Sequence, residues 1–173
     1  TNVMQTRKDL DRALAEDLGV YAYVAPGRWA RSQEEYRRVG RDGENNTNDI
    51  CGLYPRLREF CYHVGVSVAQ TYGDFPAFNA ALIHTEVRGE SEVCFHEHDQ
   101  ETFRQFAGRE IPGEVLDKYG TPYQDLRDFP ADRVIPDDYP LYVYYRWLWK
   151  QGDGWNELHT AVHKGLKSTD RRD

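Results

Sequence analysis

No stretch of this 173-residue sequence stays apolar over the ~18 residues that a helical bilayer span needs. No charged-then-apolar leader opens it either. The chain begins at Thr1 rather than Met, which reads as a start that was processed, trimmed or cut from something longer. Basic charge is also short: 22 Lys and Arg face 29 Asp and Glu, for a net charge of -7. Duplex nucleic acid needs a concentrated basic surface, so it is set aside as a partner, as is a membrane. The one short basic cluster, Arg37-Arg38 with Arg41, is interrupted by acids and reads as a solvated face. Cysteine is scarce as well. Cys51, Cys61 and Cys94 are an odd number without C-x-x-C spacing, so neither a zinc ribbon nor a redox pair is signalled. Buried reduced thiols are the default, which points to a reducing, cytoplasmic setting.

What remains is an acidic, soluble composition, 39% hydrophobic and 29% charged, with length for one domain and a sizeable core. Thr6 with Asp9 fits a capping box, and Leu10, Ala13, Leu14 and Leu18 recur at helical spacing, so a helix is expected over 7–18 with Gly19 as its stop. A strand follows over 20–24, ended by Pro26-Gly27. The polar run 40–48 reads as a loop whose Asn45, Asn46, Asn48 and Asp49 are either solvated amides or the lining of a polar site. Pro55 opens a second helix with Leu57, Phe60, Cys61 and Val64 on its stripe and Gly65 as its end. Val66 to Tyr72 then reads as a strand. Helix, strand, helix, strand favours an α/β fold with parallel strands, strand-bearing over 1–98 and helical over 99–173.

The next expected strand, 81–87, comes too soon after Gly73-Asp74 for an ordinary crossover of ~10–12 residues. It calls for one helical turn around 75–79 or for antiparallel pairing. Beyond Asp99 no strand is expected. Short helices are read at 99–107, stopped by Gly108, and at 112–119. Tyr142 to Lys150 is read as helical, and Asp153 as the cap of a last helix. The aromatic share of 13% is concentrated in Tyr139, Tyr142, Tyr144, Tyr145, Trp147, Trp149 and Trp155, which read mainly as core.

Two constellations carry chemistry. Along 78–88 an apolar run climbs into Glu86. Period-two alternation puts Leu82, His84 and Glu86 on one face and Ile83, Thr85 and Val87 on the other. A carboxyl flanked by His84 and Arg88 reads either as an exposed strand-end or hairpin acid or as a tuned general acid/base at the mouth of a parallel sheet. Second, His96 and His98, with His159 and His163 four apart on a helix, are a candidate metal-ligand set for a hydrolase.

AALIHTEVR (80–88), with FRQFAG (103–108) and WKQGDGWNELHTAVHKGLK (149–167), resembles the middle of (β/α)8-barrel glycoside hydrolases of the β-galactosidase-like type. The resemblance implies a partial or compact TIM-barrel-like sheet and a carbohydrate substrate. It implies Glu86 as general acid/base; the residues around it add His84 and Arg88, which tune it, with Asp74 and His96 as further substrate contacts, and no cofactor is expected. The sequence has His84-Thr85 where that family has Asn before the Glu, and it is shorter than the ~200 residues such a barrel takes. The nucleophile, ~5–5.5 Å from the acid in a retaining enzyme, would lie in a remainder of the barrel beyond this segment. Two further classes stand beside this: a small acidic protein-binding or toxin-neutralising domain suited to a basic partner, and the histidine-based metal hydrolase.

Overall fold

Asn2 starts the first helix, α1 (Val3–Ala15), by accepting hydrogen bonds at its side chain from the backbone N–H groups of Met4 (3.1 Å) and Gln5 (3.3 Å). The expected cap, Thr6, lies inside the helix and donates its hydroxyl to the Asn2 carbonyl. The helix therefore starts and ends earlier than 7–18, and Asp17, at φ 56°, turns the chain out before Gly19. This computed structural model describes residues 2–44, 49–84, 92–118, 132 and 134–168. The elements that follow are β1 (Val20–Val24), a helical turn α2 (Gly27–Ala30), α3 (Pro55–Tyr72), β2 (Phe78–Ile83), α4 (Glu97–Ala107), α5 (Pro140–Trp147) and α6 (Trp155–Lys167). Among the described residues no helix is long and apolar enough to cross a membrane.

The class is mixed α/β and helix-rich, but among the described residues the sheet has two short strands, β1 and β2, in parallel. No barrel-like sheet is present among the described residues, which corrects the TIM-like expectation. The reason lies in α3. Val66 to Tyr72, whose β-branched composition reads as a strand, continues that helix for two more turns. Propensity is a weak prior, and tertiary packing overrides it here. Gly65 is accordingly not a stop. A Cβ there would lie 2.2 Å from the Val162 carbonyl oxygen, and one at Gly165 would lie 2.0 Å from that of Tyr62. Two glycines facing each other let α3 and α6 approach backbone to backbone. Gly65→Val is expected to destabilise this helix pair by about 3 kcal/mol, since backbone rather than side-chain tips must move. Urea unfolding read out with probes on α3 and α6 measures it.

With α3 as the crossover, the short 73–80 connection needs no helix of its own. Val20 pairs with Phe78 and Val24 with Ile83 in parallel register, and the His84 N–H extends the ladder to the Val24 carbonyl. The strand expected over 81–87 begins three residues earlier. Its far end, including Thr85, Glu86, Val87 and Arg88, lies outside the described residues, as do Asn45, Asn46 and Asn48. The helix read at 112–119 is absent over 112–118, where the chain makes turns instead. Gly108 does stop α4 in a left-handed conformation, and the Asp153 side chain accepts from the Trp155 N–H at the start of α6.

The chain divides into two compact units, Thr1–Arg28, Pro55–Val87 and Glu157–Asp173 in the first, Trp29–Tyr54 and Arg88–Asn156 in the second. The first centres on Leu10, Ala77 and Phe78, packed by Val68, Tyr72 and Ala81. The second has the larger core. Phe103 on α4 meets Tyr144 and Trp147 on α5 edge-on, at 5.3 and 5.2 Å between ring centroids. Val115, Leu141, Val143 and Leu148 complete it. Most of the aromatic cluster is thus core, as expected, while Tyr142 stays exposed.

Candidate metal centre

Three extended segments of the second unit lie side by side and build the site. The Cys51 N–H donates to the Tyr36 carbonyl (2.7 Å), the Arg38 N–H to the Asp49 carbonyl (3.0 Å), and Arg37 bridges Ile50 in antiparallel fashion. On the other side the Phe95 N–H donates to the Val39 carbonyl (2.9 Å). This pairing delivers Cys51 from one segment and Cys94 and His96 from another. Asp99 arrives from the first turn of α4, where the helix N-terminus favours a carboxylate. Gly52 is fitted against residues 153–154: a Cβ at Gly52 would stand 2.0 Å from the Asp153 carbonyl oxygen. That close approach fixes the turn next to Cys51.

Cys51, Cys94, His96 and Asp99 each bring one donor atom into a cluster, all four within 4.8 Å of one another. The Cys94 Sγ lies 3.0 Å from His96 Nδ1, and the Cys51 Sγ 3.2 Å from Asp99 Oδ2. His96 Nδ1 is 3.7 Å from the same carboxylate oxygen. Cys51, Cys94 and Asp99 are 0, 2 and 1% exposed, whereas His96 is 20% exposed at the rim. His98 stands just outside the four. Its Nε2 reaches Asp99 Oδ2 at 3.1 Å and Cys51 Sγ at 3.3 Å, and its ring stacks on His96 at 4.8 Å. Tyr54 meets both imidazoles edge-on and is itself edge-on to the buried Tyr36.

Arg38, fully buried, supplies the counter-charge, with its Nε 3.2 Å from Asp49 Oδ2. Burial opposes its charge, but Cys51, Asp49, Cys94 and Asp99 together outweigh burial and hold its pKa above the ordinary value. The expectation of a solvated Arg37-Arg38-Arg41 face fails at Arg38 for this reason. Arg41, though exposed, is also tied down, donating to the Pro112 and Val115 carbonyls over the Phe95 ring.

The donors set one another's protonation. The hydrogen bond from Cys51 pulls the Cys94 thiol down to about 6 against burial, with help from His96. Cys51 itself is pushed up, first by burial. Hydrogen bonds to Asp99 and then Cys94 raise His96 to about 9. Burial alone would raise Asp99, yet hydrogen bonds from His96 and His98 hold it well below the usual carboxylate range. Without an ion the site is a thiolate beside an imidazolium. The linked stabilities run in opposite directions. The depressed Cys94 contributes what is fully present above its ordinary 9.0 and lost as pH falls through about 6. The raised His96 contributes what is fully present below 6.5 and lost as pH rises through about 9. Chelator-treated protein is therefore expected to show a thiolate absorbance titrating near 6 while its unfolding free energy stays level from pH 6.5 to 9. A thiolate titration near the ordinary value would contradict the arrangement.

The sequence-derived residues fare unevenly. His96 belongs to the site and His98 to its edge, while His159 and His163 sit on α6, in the other unit. His84, at the end of β2, pairs with the Tyr23 hydroxyl. Asp74 lies exposed in the turn after α3 rather than at a strand end, because 66–72 is helical. Cys51, Cys94 and Arg38 carry no such mark in the sequence, while Asp99 closes the His96-Glu97-His98-Asp99 run. Cys94-x-His96-x-x-Asp99 is the local signal that was there to find. No protein-family model, curated protein or solved structure matches the chain.

Proposed function

We propose that the second unit is a metal-binding domain that holds one zinc-type divalent ion through Cys51, Cys94, His96 and Asp99. The observation that carries this is the convergence of four donors, three of them almost wholly buried, to within 4.8 Å. Ligand bonds of ~2.0–2.3 Å in a tetrahedron place neighbouring donors roughly 3.3–3.8 Å apart. The donor separations of 3.0, 3.2 and 3.7 Å lie close to that range. Two thiolates with an imidazole and a carboxylate suit a borderline-soft ion and exclude magnesium or calcium, which take oxygen ligands. Four protein donors fill the tetrahedron, so the ion's role is to tie the three segments to α4 rather than to hold a reactive water. His98 orients the Asp99 carboxylate from outside.

Metal analysis of protein purified under reducing conditions, followed by cobalt substitution, tests the reading. One zinc per chain and a tetrahedral cobalt–thiolate spectrum are expected. A reduced, folded chain that takes up neither ion overturns it. His98→Ala is expected to keep the stoichiometry and weaken affinity ~10–100-fold, the usual cost of losing an outer partner; chelator competition reads this out.

Carbohydrate binding near the β2 end, with Glu86 as acid/base, is a second reading with one observation in its favour. Tyr21 and Tyr23 are 70 and 60% exposed on one face of the sheet with Leu82, and Tyr23 meets His84. Exposed flat rings suit stacking on sugars. Affinity electrophoresis in polysaccharide gels, with Tyr21→Ala and Tyr23→Ala alongside, and aryl-glycoside hydrolysis by Glu86→Gln test it. A wild-type chain neither retarded nor active removes it.

A further inference from the structure

We infer that Cys51 and Cys94 form a reversible disulfide under peroxide, and that this bond and the metal are alternative occupants of the same site. The inference rests on the metal-binding reading for the second half of that statement only. Its basis is geometric. The two sulfurs lie within 4.8 Å of each other, although their segments are far apart in sequence. Cys61 belongs to the other compact unit, on α3. A sulfur–sulfur bond of ~2.05 Å needs the pair, at most 4.8 Å apart, to close by no more than about 2.8 Å. Once the sulfurs are joined neither is a thiolate, and the site loses two of its four donors.

The reaction balances with hydrogen peroxide as the oxidant. The Cys94 sulfur attacks one peroxide oxygen, forming S–O as O–O breaks, and the departing hydroxide takes a proton to become water. The Cys51 sulfur then attacks the Cys94 sulfur, forming S–S as S–O breaks, and a second hydroxide leaves as water. Two thiolates, one peroxide and two protons give one disulfide and two waters, and the divalent ion leaves with its charge unchanged. Cys94 is the first to react because it neighbours His96, the donor that reaches the surface. The burial of both sulfurs is expected to select the oxidant by size, with peroxide reaching them faster than glutathione disulfide.

The test treats the zinc-loaded wild-type chain with peroxide, or with glutathione disulfide at equal concentration. It follows free zinc with a chromophoric chelator, free thiols, and peptide masses without reduction. The expected result is loss of two thiols per chain, one zinc released in step, a Cys51–Cys94 cross-link, reversal by a dithiol, and a much slower glutathione arm. A zinc-loaded chain whose thiols survive, or go to sulfinic acid without a cross-link, or link Cys61, overturns the inference and leaves the metal reading standing. A chain that binds no zinc yet forms the Cys51–Cys94 bond supports the disulfide and removes the metal reading.

Discussion

Cys94→Ser is expected to abolish metal retention and to lower the unfolding temperature of the second unit to that of the chelator-treated wild type. Structural zinc contributes apparent binding free energies of about 10–16 kcal/mol. A whole domain is stable by only about 5–15 kcal/mol. Losing the ion therefore removes a large share of the loaded domain's stability and leaves the metal-free fold as the less stable one. The substitution itself is nearly isosteric, so without a metal the same change costs only about 1 kcal/mol through an altered hydrogen bond to His96. The size of the effect thus separates the two accounts. Calorimetry of wild type, wild type with excess chelator, and Cys94→Ser measures it, and the last two are expected to coincide. Cys61→Ser, also at a buried thiol but on α3, calibrates an ordinary buried substitution. A Cys94→Ser loss no larger than that of Cys61→Ser would remove the metal from the account of stability.

How much of this was legible in the sequence follows from the range of the interactions involved. β1, the Gly108 stop and the Asp153 cap depend on neighbours within a few residues, and they are where the pattern puts them. Val66 to Tyr72 reads as a strand because its β-branched composition is local, while the cause of its helicity is not. Gly65 serves a contact with Gly165, a hundred residues on, and a glycine read alone is indistinguishable from a stop. The TIM-like expectation fell with that misreading, since it needed a strand there. The site shows the same division. His96 stood out as part of H-x-H, but its partner Cys51 arrives through the pairing of 36–38 with 49–51, which no periodicity announces. Three cysteines without C-x-x-C spacing carried no signal until that pairing was known.

Arg38 is the residue whose removal should next most change the molecule. It is 1% exposed, and its Nη1 and Nη2 have no hydrogen-bond partner among the described residues. A guanidinium buried with incomplete hydrogen bonding is held by charge. Cys51, Cys94, Asp99 and Asp49 are four anions when the site is loaded. Against them stand a divalent ion and Arg38, so the cluster carries one net negative charge with the arginine and two without it. Arg38→Met keeps most of the volume and removes the charge, leaving Asp49 buried beside an apolar side chain. Breaking one side of a buried pair costs about 3–5 kcal/mol, whereas replacing both sides by packed apolar groups is close to neutral. The expected order of stability is therefore wild type close to Arg38→Met/Asp49→Leu, with Arg38→Met alone well below both. Denaturant unfolding of the three zinc-loaded proteins reads the first part, and chelator competition reads the second. The double variant should recover folding but bind the ion more weakly than wild type, because the thiolates have lost the cation that favours their charged form. Recovery of affinity as well as folding would show that Arg38 answers to Asp49 alone, and that the four donors need no counter-charge beyond the ion they hold.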